Sequence, residues 1–456
     1  MVNAENIDGQ NGHEGQLEGK TLEFKREIQK PLRFLQSVSA FANTAGGVIW
    51  IGIDDKTHAL VGVSDPLKEE ERLASIISDS IAPLLVPNIE IVSSGSKSLL
   101  RVEVYPGPAK PYHIKTEGPD LGSYVRVGST NRKADQELVL EMRRSQRGLS
   151  YDELPCPDAS VTDLDAALFA SHLESKPQDL VTAMQNLKLV VSVKGHFFPS
   201  NGGMLLFAKD RERFFPDSLI KMAIFNGLDR AKMREIVEFR QPPIEAIDRL
   251  LTYVHNQLRV EFDFSESKRK PRLRVPAEAL REAVVNSVVH TDYSKSGESI
   301  RVSLFSDRIE IENPGLLALG LTIEDIKTGI SKARNRAIAR YFERAKLIEN
   351  WGSGIRRMIS ACQESGLKEP MFEEIGTRFR VTFYFEKCQK TPLTVAEQRI
   401  LALLSKKPLG TKDIALKLEL SERTARTVLS KLVKNGLITH SGKSNLDPTK
   451  KFMRVK

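Results

Sequence analysis

Apolar and polar positions fall into four patterned stretches. In the first, Thr21 to Glu27 reads as a strand, and Phe34, Leu35, Val38, Phe41 and Ala42 then recur at helical spacing. Gly46-Gly47 ends that helix, Val48 to Ile53 is a buried strand, and Asp54-Asp55-Lys56 turns the chain toward Ala59 to Val63. A linker-like stretch, Pro155 to Ser160, opens the second region. There Leu189 to Val193 and Met204 to Phe207 read as strands, and Ile244 to Leu258 reads as an amphipathic helix. Phe197, Phe198, Phe214 and Phe215 are expected in the core rather than as stacking platforms.

In the third stretch, Ala279 to Val289 is a helix rich in Ala and Val. Glu282, Asn286 and His290 line one of its faces at i, i+4 and i+8. Ile300, Val302 and Leu304 alternate, as do Ile309 and Ile311, which predicts a hairpin ending at Asn313-Pro314-Gly315. The fourth stretch gives a helix over Ala396 to Leu404, a short one over Thr411 to Leu418, and a third over Glu422 to Asn435. Leu437-Ile438 and Phe452 to Val455 follow as strands, with Gly442 and Asn445 in the turn between them. The expected division is a disordered 1–16, an α/β module at 17–145, a connector at 146–270, a second α/β module at 271–388 and a tail at 389–456. The fold class is multidomain α/β and α+β.

Charge sharpens this division. The whole chain carries +9, yet from Gln389 onward fifteen Lys/Arg stand against five Asp/Glu. The excess therefore sits in the tail, which points to a polyanionic partner. Cys156, Cys362 and Cys388 lie far apart and form neither a disulfide framework nor a zinc spacing. A cytoplasmic setting and no membrane contact are expected. No apolar run approaches the roughly 20 residues of a membrane span, and Met1 to Gly15 lack the apolar core of a signal peptide.

The third helix of the tail has an apolar face of Ala425, Val428, Leu429 and Leu432. Its other face carries Arg423, Thr424, Arg426, Thr427, Lys431 and Lys434, and Ser421 is placed to cap it. Helix, short helix, polar helix and hairpin resemble a winged helix-turn-helix. That resemblance implies that the third helix enters the major groove of DNA.

Glu18, Glu23 and Lys25 form E-x4-E-x-K. Ala40 to Gly47 reads AFANTAGG, Ile51 to Asp55 reads IGIDD, and Tyr124 to Arg132 reads YVRVGSTNR. Together these resemble the Schlafen AlbA-type domain, which implies a nucleic-acid-binding fold, with Lys25 and Arg126 as binding cations. The resemblance to Schlafen nucleases further implies a metal site for RNA cleavage at Glu18, Glu23 and either Asp54 or Asp55. Hard divalent cations prefer such carboxylate oxygens. The alternative is that Glu23 and Lys25 simply pair on one face of a strand.

The polar helix face, the N-P-G turn, and Gly352 and Gly354 before a helix resemble a GHKL (Bergerat-type) ATPase fold of the RecG-like branch. This implies ATP with Mg²⁺ ligated by Asn286, Glu282 acting on water, Gly315 on the adenine side, and Gly352 and Gly354 at the phosphates. Asn313 stands where the family's adenine-reading aspartate is usual. The whole-chain order resembles that of nucleotide-responsive transcriptional regulators. DNA is the expected partner, RNA the second candidate, and the connector a place for self-association. Enzymatic readings are a weak or DNA-stimulated ATPase and an endoribonuclease in stress or phage defence. No G-x4-G-K-[ST] loop supports a helicase.

Overall fold

A computed structural model describes residues 17–175, 177–258, 274–348, 352–386, 395–404, 408–418, 420–434, 438–441 and 451–454. The chain forms two compact units, Met1–Glu386 and Lys387–Lys456. The expected disordered start, the Gly442 to Asn445 turn, Cys388 and Val455 lie outside the described residues.

The first unit opens with a four-stranded sheet in the order Leu22–Lys25, Gly47–Ile51, Lys97–Val104, Asn88–Ser94. The first pair is parallel, with Glu23 opposite Ile49, so the chain must cross over between them. Helix Pro31–Asn43 makes that crossover and packs Phe34, Val38 and Phe41 into the same core as Ile49, Ile51 and Val102. Its C-terminal Asn43 is fully buried. Its amide donates to the Tyr112 and Tyr124 carbonyls at 2.7 and 2.9 Å, and its Oδ1 accepts the Tyr112 N–H at 2.7 Å. The glycines that follow are steric requirements. Gly46 has φ +77°, and a Cβ on Gly47 would lie 2.8 Å from the Phe41 ring.

The remainder of this unit is built on a six-stranded sheet. Its order is Met233–Phe239, Ile220–Phe225, Ile300–Leu304, Arg308–Pro314, Arg378–Tyr384, Met371–Ile375. Ile220–Phe225 and Ile300–Leu304 run parallel, and the other pairs are antiparallel. One apolar core runs from Cys156 to Phe383. The boundary expected at 270/271 therefore falls inside a single sheet and core: the connector supplies two of its strands.

Three local expectations are corrected. Met204 to Phe207 is not a strand but part of helix Asn201–Phe207, started by Ser200, whose Oγ accepts the Gly203 N–H at 3.0 Å. The helix is buried on every side, so its sequence shows no helical stripe. The linker-like stretch is packed, with Cys156 and Ala159 in the core and the Cys156 N–H bonded to the Pro199 carbonyl at 2.8 Å. Phe197 is 53% exposed on strand His196–Pro199, whereas Phe214 and Phe215 pack against the core as expected.

The second unit has helices Val395–Leu404, Thr411–Leu418 and Glu422–Lys434. Its three-stranded antiparallel sheet runs Leu409–Gly410, Lys451–Arg454, Ile438–Ser441. Ile400, Ile414, Leu429, Leu432 and Phe452 form its core. The strand Leu409–Gly410 was not anticipated, because two residues carry no periodicity.

Lys110 is an energetic liability in the first unit. It is 8% exposed, and its Nζ donates only a long 3.4 Å bond to the Thr44 carbonyl. Burial lowers its pKa to about 8, and the charge of Lys332 adds to this. Between about 8 and the ordinary 10.5, the unfolded chain binds more protons than the folded one, so stability rises with pH across that window. Lys110→Met is expected to raise the melting temperature by several degrees at pH 7 and by less at pH 10. Equal gains at both pH values in calorimetric scans would contradict this.

Candidate functional site

Helix Ala277–His290 buries Ala279, Leu280, Ala283 and Val284 in the sheet core, which fixes the direction of its other face. As a result Glu282, Asn286 and His290 all line one cavity of about 140 Å³. Strand Arg308–Pro314 contributes Asn313 to the wall. Phe379 and Val381 of the neighbouring strand and Met358 of helix Gly354–Glu364 make the rest of it apolar.

The polar groups are mutually arranged. The Asn286 amide donates to Glu282 Oε1 at 3.2 Å, and Arg357 Nη2 donates to Glu282 Oε2 at 3.0 Å. A Cβ on Gly354 would sit 1.9 Å from Glu282 Oε1, so the carboxylate lies against the first turn of helix Gly354–Glu364. The positive end of a helix dipole favours an anion there. Gly352 has φ +63°, and a Cβ on it would meet the Gly329 carbonyl at 2.1 Å, so only glycine fits. The Asn313 amide donates to the Pro314 carbonyl at 3.1 Å and, at 3.5 Å, to that of His290. Those two carbonyls fix the amide orientation and leave Oδ1 as the acceptor end. Burial, helped by Arg334, pushes the His290 imidazole down to about 4, so it is neutral at pH 7.

Gly315 does not face this cavity. It has φ +95° and lines a second cavity, with Asp292 and Arg334 beside it. Leu316, Leu317 and Ala318 line both cavities and form the partition between them. Arg357 went unread in the sequence. Its only signal was a cation three positions after Gly354.

The N-terminal carboxylates are placed differently from the expectation. Glu23 is 5% exposed. Its oxygens accept from the Ser37 hydroxyl at 2.8 Å and from Arg126 Nη1 at 2.6 Å, and Lys25 Nζ lies 2.5 Å away. Glu18 accepts the Phe24 N–H at 2.8 Å. Asp54 closes its own turn. The Thr57 N–H, the Thr57 hydroxyl and the Lys56 N–H hold its carboxyl below the usual range. Asp55 is exposed. Among the described residues, no three His, Cys, Asp or Glu side chains are grouped to hold a metal ion. Arg126, expected to contact nucleic acid, is 2% exposed and paired with Glu23. Lys25 is partly exposed.

In the second unit, Arg423, Thr424, Arg426 and Thr427 are exposed on helix Glu422–Lys434, opposite the buried Ala425 and Leu429. The Ser421 Oγ accepts the Thr424 N–H at 3.1 Å, which caps the helix. Arg426 Nη2 lies 3.1 Å from Glu422. The side chains of Lys431 and Lys434 lie outside the described residues.

Residues 18–135 match the family described as "Schlafen, AlbA_2". Residues 297–383 match the family described as "Putative ATP-dependent DNA helicase recG C-terminal". The chain joins a Schlafen AlbA_2 domain to a RecG-type, HATPase-like domain. Helix Ala277–His290 lies ahead of the second match, so Glu282 and Asn286 enter this domain by geometry rather than through the match itself. Similar solved structures include the DIP2311 protein of Corynebacterium diphtheriae, at 18% identity over 96% of this chain and 95% of that one, with a TM-score of 0.45. Another is the N-terminal domain of a "Putative ATP-dependent DNA Helicase RecG-related Protein" of Nitrosomonas europaea. It is 29% identical over 26% of this chain and 84% of that one, with a TM-score of 0.21. No curated protein matches the chain. Among the described residues, no helix is long and apolar enough to cross a membrane.

The AlbA_2 geometry gives Glu23 a structural task. Glu23→Ala would leave the Arg126 guanidinium buried without its carboxylate, which costs about 3–5 kcal/mol when one partner of a buried pair is lost. Thermal unfolding should show a clear drop in melting temperature. An unchanged melting temperature would free Glu23 for another role.

Proposed function

We propose that this protein is a nucleotide-responsive, DNA-binding transcriptional regulator. On this reading the RecG-type domain binds ATP with Mg²⁺, and the C-terminal unit is a winged helix that binds DNA. The observation carrying the nucleotide half is the convergence of Glu282, Asn286 and Asn313 on one apolar-walled cavity beside Gly352 and Gly354.

The donor set suits a purine nucleotide. Phe379, Val381 and Met358 offer apolar surface to a base, and the acceptor end of Asn313 can take a hydrogen bond from an exocyclic amino group. Magnesium at nucleotide sites keeps water and phosphate ligands, so one amide oxygen, that of Asn286, is a sufficient protein contribution. Bound there, the metal would neutralise phosphate charge. Glu282 is tied to Arg357 and Asn286, which leaves it poorly placed to activate water. The nucleotide is accordingly an effector, and hydrolysis is slow. The RNA-nuclease alternative is weakened by the commitment of Glu23 to Arg126.

The DNA half is supported by the helix and strand order of the second unit, and by exposed Arg423 and Arg426 on a capped helix. Cations on such a helix neutralise phosphates and reach base edges.

Two experiments test these halves separately. Asn286→Ala should weaken ATP·Mg²⁺ binding by roughly tenfold or more in calorimetric titration, with little change in the melting temperature of the nucleotide-free protein. Unchanged affinity would remove the cavity from nucleotide binding. Arg423→Ala with Arg426→Ala should weaken DNA binding and lower the slope of log affinity against log salt by roughly two. A slope equal to that of the parent would mean these arginines touch no phosphate. DNA titrations of the parent with and without saturating ATP then test the response itself; identical affinity and footprint would end it.

A further inference from the structure

The second cavity, of about 390 Å³, lies where the AlbA_2 domain meets the RecG-type domain, within the first unit. It is larger than the nucleotide cavity and belongs to neither domain alone. Its wall holds six cationic side chains and four carboxylates.

Each carboxylate has a hydrogen-bond partner, but among the described residues only Glu374 and Glu141 are met by a close cation. Glu374 takes Lys20 Nζ at 2.7 Å and the Leu317 N–H at 2.9 Å. Glu141 pairs with Arg334. Asp292 accepts the Ser294 hydroxyl at 2.6 Å, and Asp135 accepts the Leu138 N–H at 2.8 Å. On the cationic side, Lys20 and Arg334 are thereby matched, and Arg126 is matched by Glu23. Arg132, Lys133 and Lys295 remain. Among the described residues, none of the three has a carboxylate within 4.0 Å.

Those three cations come from both sides of the seam. Arg132 and Lys133 stand on strand Thr130–Lys133 of the AlbA_2 domain, and Lys295 follows the polar-faced helix of the other module. Six cations against four carboxylates leave the wall a net charge of +2, and a concave, partly enclosed site with net positive charge concentrates small anions. Three cationic donors without carboxylates of their own can converge on the several oxygens of a phosphate group, which accept from Arg and Lys alike. We infer that this seam cavity binds a phosphate-bearing small molecule with several negative charges, held by Arg132, Lys133 and Lys295. This site does not depend on the nucleotide reading of the first cavity.

The test is calorimetric titration of the full chain with inorganic tripolyphosphate. Saturable binding is expected, weakened roughly tenfold or more by Arg132→Glu with Lys295→Glu. The charge-conserving pair Arg132→Lys with Lys295→Arg should keep most of the affinity, and Asn286→Ala should leave it unchanged. Melting temperatures establish that each variant is folded; should the acidic pair unfold, Arg132→Gln and Lys295→Gln serve singly. Absence of saturable binding overturns the assignment, as does affinity indifferent to Arg132 and Lys295. Loss of binding with Asn286→Ala alone would place the anion in the nucleotide cavity instead. If a short single-stranded oligonucleotide binds with the Arg132 and Lys295 dependence while tripolyphosphate does not, the seam takes a nucleic-acid backbone and the small-molecule assignment fails.

Discussion

A carboxylate withdrawn from water must be met by cations or N–H groups, and that constraint organises this chain. Glu23 meets Arg126 inside the AlbA_2 domain. Glu153 meets Arg336 and Arg340, while the neighbouring Asp152 accepts the Arg336 and Ile338 N–H groups. These bonds fasten the chain just beyond the AlbA_2 domain to helix Arg336–Arg344. Glu312 sits between Arg230, Arg378 and Arg380 on the six-stranded sheet. In the candidate site Glu282 meets Arg357. The same residue types would serve catalysis if they faced water and substrate. Their burial and partners are what separate scaffold from site.

Much of the fold was legible because local patterns were strong. The helix over Pro31–Asn43, the hairpin ending at Pro314 and the helices Thr411–Leu418 and Glu422–Lys434 follow from apolar spacing, caps and glycines. Pairing across long separations was not legible. Nothing in the sequence announced that Ile220–Phe225 runs beside Ile300–Leu304, so one sheet was read as two regions. Met204 to Phe207 failed for a related reason. A run apolar on all sides has no period, and its identity rests on Ser200 and the tight fit of Gly203.

The candidate site was legible where polar residues interrupted an apolar pattern, as Glu282, Asn286 and His290 do. It was not legible where a charge looked ordinary, as with Arg357. At Arg126 the motif did not reveal burial, because a motif marks which residues matter without saying whether they face solvent or hold the domain together. Its 2% exposure and its pair with Glu23 show that it takes part in the second task.

The partition formed by Leu316, Leu317 and Ala318 has one side in each of the two cavities. Displacing it from one chamber changes the space left in the other. Any preference that such a displacement creates is equal in both directions, because coupling free energies are reciprocal. Leu316, Leu317 and Ala318 therefore give each cavity a wall that the other shares, and one substitution there alters both spaces at once.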